Sequence, residues 1–203
     1  MRTLFLALFV LAIFLANSTS LELSAAGGQA NGVPVKDGKV ALTGDNSQIK
    51  FVGSKAQGKH DGGFKTFTGT LELNDKGAPK SLNLEIETAS IFTDTGKLTN
   101  HLKTKDFFDV AKFPKATFAS TKIEPAAKDA KDAKDATHQV TGNLTLHGET
   151  KEISFPISVK AGNDGLSGTS KFEIDRQDFA MTYGKGIVHD KVSITVTVGK
   201  SGK

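Results

Sequence analysis

Hydrophobic residues recur at every second position in eight short stretches between Gln48 and Val198. Ile49, Phe51 and Gly53 open the series, followed by Phe67, Gly69, Leu71 and Leu73, then by Leu82, Leu84 and Ile86, all separated by polar or charged neighbours. The pattern weakens at Ala116, Phe118 and Ser120. It returns at Val140, Gly142, Leu144 and Leu146, and again at Ile153, Phe155, Ile157 and Val159. Leu166, Gly168, Ser170, Phe172 and Ile174 precede the last run, Val192, Ile194, Val196 and Val198. Successive side chains of a strand point to opposite faces, so each stretch has one dry face and one wet face. Several such strands joined by Gly, Asn and Asp turns predict a sandwich or an antiparallel barrel. A closed, apolar-lined barrel would place function in its interior.

One region carries a helical pattern, between Thr93 and Val110. Thr93 or Asp94 can cap its start, Leu98 and Leu102 lie one turn apart, and Asp106 can restart a turn bearing Phe107, Phe108 and Val110. Pro114 ends it and favours a return to extended chain from Lys115. Such a crossover can act as a lid or plug, or only seal the barrel end. Lys128 to Ala136 is a threefold Lys-Asp-Ala repeat whose charges cancel, expected as an exposed hairpin loop.

The first residues resemble an export signal: Arg2 is followed by an uncharged apolar run from Leu4 to Ala16, too short to span a bilayer comfortably. Residues 1–26 are expected to be removed before Gly27, at Ser24-Ala25-Ala26, with Ala16 and Ser18 offering an earlier cut and an uncleaved anchor as the alternative. Residues 27–46 are expected as a flexible lead, in which Lys39 to Leu42 can add a short edge strand, and residues 47–200 as the barrel. The expected location is periplasmic or secreted. No cysteine is present, which excludes disulfides and thiol-linked lipid.

Removing residues 1–26 takes out Arg2 and Glu22 and leaves the net charge at +4. Positive residues are spread along the chain among acids, which argues against nucleic-acid binding and allows loose attraction to anionic membranes. Roughly 175 remaining residues suit a single domain with a sizeable core.

Catalytic signatures are missing: there is no Gly-x-Ser-x-Gly, no His-Glu-x-x-His and no phosphate-binding glycine loop. His60 beside Asp61 and His189 beside Asp190 would need to converge to act as acid/base or metal groups, and neighbours on a strand face opposite ways. Eleven of fourteen phenylalanines lie beyond residue 26, against one tyrosine and no tryptophan, so the aromatic surface carries almost no polar handle. Gly69, Ala116, Gly142, Gly168 and Ser170 share the inward positions. They either leave room along the barrel axis for a ligand or mark bulges and corners.

Three blocks carry a resemblance to a known family. The first runs from His101 through Asp106-Phe107-Phe108-Asp109 and Lys112-Phe113-Pro114 to Thr121; the second is Val140-Thr141-Gly142-Asn143-Leu144-Thr145-Leu146-His147-Gly148. The third comprises Asp175-Arg176-Gln177-Asp178-Phe179 and Val188-His189-Asp190-Lys191-Val192. In this order, over about Gln48 to Gly199, the chain resembles the YceI family of lipocalin-like polyisoprenoid-binding proteins. It departs at Leu98-Thr99, where relatives carry Arg-Asp, and at Gly58 to Phe67, so roles of those positions are not carried over. The resemblance implies an all-β, eight-stranded antiparallel lipocalin-like barrel with a short helical crossover, enclosing a long isoprenoid chain.

The expected function is noncatalytic binding, carriage or storage of a polyisoprenoid or similar amphiphilic lipid, without a cofactor or metal. Candidate lipid-binding residues are Phe51, Phe67, Leu71, Phe107, Phe108, Phe118, Leu144, Phe155 and Ile157. Transient membrane contact and a homodimer are open to such a protein. The competing readings are a filled barrel used for protein contacts in stress response, and a lipid-acting acid/base enzyme using His101 or His189.

Overall fold

The computed structural model describes residues 32–127 and 135–199, which form an antiparallel sheet with one α-helix. The expected signal over 1–26 and most of the Lys128 to Ala136 repeat lie outside the described residues. In chain order the elements are β1 (Lys39–Thr43), β2 (Ser47–Lys55), β3 (Gly58–Phe64), β4 (Phe67–Leu73), β5 (Pro79–Glu87), β6 (Ile91–Thr93) and α1 (Gly96–Leu102). Then follow β7 (Lys115–Pro125), β8 (His138–Leu146), β9 (Glu149–Gly162), β10 (Gly165–Asp175) and β11 (Lys191–Val198).

All eight alternating stretches are strands, yet the strand count is eleven, not eight. The additional strands are β1, β3 and β6. Short breaks divide three longer paths: Gly44–Asn46 separates β1 from β2, Lys65–Thr66 separates β3 from β4, and a 3-10 turn at Thr88–Ser90 separates β5 from β6. At the last break, the Ser90 hydroxyl accepts the Thr66 N–H at 3.1 Å, and Thr88 donates to the Phe113 carbonyl at 2.7 Å. The described part of the 27–46 lead packs instead of lying free, since Val33, Val40 and Leu42 are buried, and the edge strand expected over Lys39 to Leu42 is β1, which pairs with β4 from Lys39↔Glu72 to Thr43↔Thr68.

The sheet order is β1-β4-β5-β7-β8-β9-β10-β11-β2-β3-β6. Since β2 continues β1 and also pairs with β11, the sheet curls back toward its start, consistent with a lipocalin-like barrel. The β9–β10 ladder runs from Gly162↔Gly165 to Ser158↔Thr169 and stops before Pro156, which has no N–H to donate. Side chains bridge the seam beyond it: Ser170 donates to the Pro156 carbonyl at 2.7 Å, and Phe155 stacks on Phe172 at 4.4 Å.

The two ends of the curl differ. At one, Val33, Val40, Leu42, Leu71 and Leu166 form a buried cluster. At the other lie α1, the β2–β3 turn and the segment between β10 and β11. The helix is shorter than the expected Thr93 to Val110 region and is capped by Thr95, whose hydroxyl accepts the Leu98 N–H at 3.3 Å. Neither Thr93 nor Asp94, the two caps expected, is the cap: Thr93 ends β6 with its hydroxyl donating to Thr95 O, and the Asp94 carboxylate meets His60. After Leu102 the chain continues in turns, with Asp109 at φ 42°. Among the described residues no helix is long and apolar enough to cross a membrane.

Candidate functional site

The curled sheet encloses a cavity of about 410 Å³. Strand alternation sends Phe51, Phe67, Leu71, Phe118, Leu144, Phe155 and Ile157 toward it, and Phe107 and Phe108 reach it from the turns after α1. The nine residues do not share one role in packing. Leu71 belongs to the closed end; Phe118, Phe155 and Ile157 form a wall cluster with Val140. Phe107 is buried with Ile91 and Leu102 beneath α1, while Phe108 meets the Phe64 ring edge-on at 5.7 Å.

The small inward residues divide likewise. Ala116, Gly168 and Ser170 line the cavity, as the space-leaving reading expects. Gly69 and Gly142 do not, because neighbouring side chains lie over them. A Cβ at Gly142 would sit 2.6 Å from the Phe118 ring, and one at Gly69 would sit 2.8 Å from Leu84 Cδ1. Gly53, by contrast, lines the cavity with nothing within 4 Å of its would-be Cβ.

Polar groups collect at the α1 end, where Lys55, His60, His101 and Tyr183 edge the cavity. His60 Nδ1 meets Asp94 at 3.0 Å, not Asp61, and His101 Nε2 meets Asp106 at 3.0 Å. The His101 ring also sits edge-on to Phe107 at 5.1 Å and Tyr183 at 5.0 Å, joining α1 to the segment that follows β10. His189 Nδ1 pairs with the Ser54 hydroxyl at 3.0 Å, while Asp190 is taken by Arg176 at 3.2 Å and Gln177 at 2.9 Å. The sequence-adjacent His-Asp pairs therefore do not form. Among the described residues no three metal-ligating side chains converge. Leu98, at a position where the resemblance expects Arg, adds an apolar side chain to the cavity rim.

Arg176 is the residue whose importance periodicity could not reveal. It is 4% exposed, and its guanidinium donates to the carbonyls of Met181, Tyr183, Val188 and His189 as well as to Asp190. A planar fork with five donors can serve all five of these acceptors, where an ammonium has only three donors. It thereby fixes the segment from Ala180 to Asp190 over the cavity mouth. A second tie closes the neighbouring side: His147 and Gly148, at φ 52° and 82°, make the tight β8–β9 turn, and His147 Nδ1 meets the Phe179 carbonyl at 3.1 Å.

The family model for the YceI-like domain matches residues 41–199, which includes most of β1. A UPF0312 protein of Pseudomonas syringae pv. tomato is 36% identical over 150 residues, covering 67% of this chain and 70% of the relative. Among solved structures, Burkholderia cenocepacia BcnA superposes with a TM-score of 0.66 at 25% identity, over 75% of this chain and 94% of that one. A polyisoprenoid binding domain from Saccharophagus degradans, implicated in plant cell wall breakdown, gives a TM-score of 0.60 over 80% and 97%. At 16% identity that last likeness is one of fold.

Proposed function

The chain belongs to the YceI-like domain family, and from that premise we propose that it is a noncatalytic binder of a polyisoprenoid or similar long-chain amphiphile. It acts outside the cytoplasm as a carrier or store. The observation that carries this reading is the cavity: about 410 Å³, walled mainly by aliphatic and phenylalanine side chains, with its charged and imidazole groups at one end and only hydroxyls, such as Ser47, Ser158 and Thr169, elsewhere. An apolar lumen with one polar rim matches a ligand with a long tail and one head. The polyisoprenoid binding named for the Saccharophagus degradans domain supports the same class of tail. A filled barrel used only for protein contacts has no need of such a space.

The chemistry at the rim supports binding over catalysis. Ser54 and His189 form a nucleophile–base pair, but among the described residues no carboxylate orients that imidazole, since Asp190 is held by Arg176 and Gln177. His101 and Asp106 tie elements together at the mouth.

The test is to express the full chain in a bacterial host, purify it without detergent and extract it with organic solvent for mass spectrometry. One isoprenoid or comparable long-chain lipid per protein is expected. Protein that emerges lipid-free and takes up no added isoprenoid overturns the proposal.

A further inference from the structure

Among the described residues three large hydrophobic side chains are strongly exposed: Val35, Tyr183 and Ile187. Two of them lie in the segment over the cavity mouth, and Ile187 is the extreme case at 71% exposure. This exposure is built, not frayed. The Ile187 and Val188 N–H groups both donate to the Gly184 carbonyl, at 2.9 and 2.8 Å, and Lys185 N–H donates to Thr182 O. Gly184 and Gly186, at φ 67° and 80°, supply backbone angles that turn the tip outward. Arg176 anchors both sides of the turn through Tyr183 O and Val188 O.

Three exposed lysines without an ion-pair partner among the described residues stand around this tip, Lys55, Lys59 and Lys185, alongside the exposed acids Asp61 and Asp178. Lys185 and Lys55 both bridge to Val188, and Lys59 pairs with Ser54, whose carbonyl accepts the His189 N–H. The nearby carboxylates Asp190, Asp94 and Asp106 are already engaged by Arg176, His60 and His101; Asp61 is the exposed acid next along β3. Lys55 and Tyr183 also edge the cavity, so the apolar tip, the lysines and the lumen opening form one continuous surface.

We propose that the Thr182–Val188 turn, with Lys55 and Lys59, docks on an anionic phospholipid bilayer, Ile187 entering the interface and the lumen mouth facing the membrane. This inference rests on the lipid-binding reading and specifies where that exchange takes place. A single aliphatic side chain is too little for stable anchoring, so contact is brief and depends on the lysines.

The chain contains no tryptophan, so Ile187→Trp introduces a lone indole reporter. Val35→Trp, at the opposite end, is the control. With vesicles of phosphatidylglycerol and phosphatidylethanolamine, a blue shift in emission is expected at position 187 and none at position 35; pure phosphatidylcholine should give a much weaker response. Lys59→Gln and Lys185→Gln should each weaken vesicle partitioning about fivefold at low salt. Ile187→Asp should abolish partitioning and slow lipid transfer between protein and vesicles, while the thermal melt stays that of the wild type, since the side chain is 71% exposed. Equal shifts at 187 and 35, a response indifferent to vesicle charge, or no shift at 187 overturns the proposal. Vesicle docking by protein with an empty lumen would instead defeat the carrier reading and leave the docking surface standing.

Discussion

Gly53→Leu is the most direct probe of whether a tail runs along the lumen. Gly53 pairs with His60 near the end of β2, faces the cavity and has no neighbour within 4 Å of its would-be Cβ. It is not among the residues with positive φ, so a side chain is tolerated by the backbone. Replacing glycine within a strand also removes a conformational penalty of roughly 0.5–1 kcal/mol. The variant should therefore fold at least as stably as the wild type. A leucine side chain occupying the lumen displaces about three methylenes of tail, and at about 0.8 kcal/mol each this costs about 2.4 kcal/mol of binding from water. That corresponds to an affinity about fiftyfold weaker. Displacement of a fluorescent long-chain probe in buffer measures the affinity, and a thermal melt measures the fold. Val52→Leu, on the opposite face of the same strand, is the control and should leave affinity unchanged. A folded Gly53→Leu protein that binds within twofold of wild type would show that the tail does not pass this point.

Three other outcomes follow from the geometry. Arg176→Met should cost about 3–5 kcal/mol, because four carbonyls and Asp190 lose their donor in a buried setting, and Arg176→Lys should recover little of it; a loss below about 1 kcal/mol in urea unfolding would refute this role. Burial holds the His138 imidazole below its ordinary pKa of 6.5, so the folded state resists protonation. Stability is then complete above pH 6.5 and falls as the pH drops from there through the lower folded value, and His138→Gln should flatten that part of the pH–stability curve. Deleting Lys128 to Ala133 should shift stability by no more than about 1 kcal/mol, since closure entropy changes slowly with loop length; the base of the loop is already closed by Ala126 N–H donating to Thr137 O at 3.0 Å. A large drop in melting temperature would show that the repeat is packed.

What was legible in the sequence is what period alone determines. Alternation located eight strands and placed seven of the nine candidate residues on the lumen face, because a strand side chain has only two directions to take. The unread strands failed that condition. β3, Gly-Lys-His-Asp-Gly-Gly-Phe, has hardly an apolar residue to alternate, and β6 is three residues long; both are held by pairing with β2 and β3. Alternation left two readings open at Gly69 and Gly142, since it gives the direction of a missing side chain but not whether Leu84 or Phe118 leans across the gap, and Gly142 answers to the second, lying opposite the β7 bulge after Ser120. The mouth was the least legible part. Its partners, His60 with Asp94 and Ser54 with His189, are 34 and 135 residues apart in the chain. Arg176 acts through backbone carbonyls, which leave no mark in the sequence of the segment they hold.

The difference between the two ends matters more for exchange than the wall between them. β2 runs nine residues from Ser47 to Lys55 along the cavity, and at about 3.3 Å per residue and a tilt near 40° the lumen reaches roughly 20 Å along its axis. One bilayer leaflet offers an apolar depth of about 15 Å. If the chain takes lipid from a membrane as proposed, a tail moving from leaflet to lumen exchanges one apolar burial for another of similar extent, and the large gain of leaving water cancels. The apolar wall then decides which tails fit, through the room at Gly53, Ala116, Gly168 and Ser170. It contributes little to whether they enter. That balance falls to the mouth, where Lys55, His60, His101 and Tyr183 can meet a head group, while Val33, Val40, Leu42, Leu71 and Leu166 close the far end with apolar side chains. A charged head group placed at that closed end would meet only hydroxyls, those of Ser47, Ser158 and Thr169, and no charged or imidazole side chain, at a cost of several kcal/mol. On the proposed lipid-binding reading, the same chemistry that lets the tail in sets its direction, tail toward Leu71 and head toward His101.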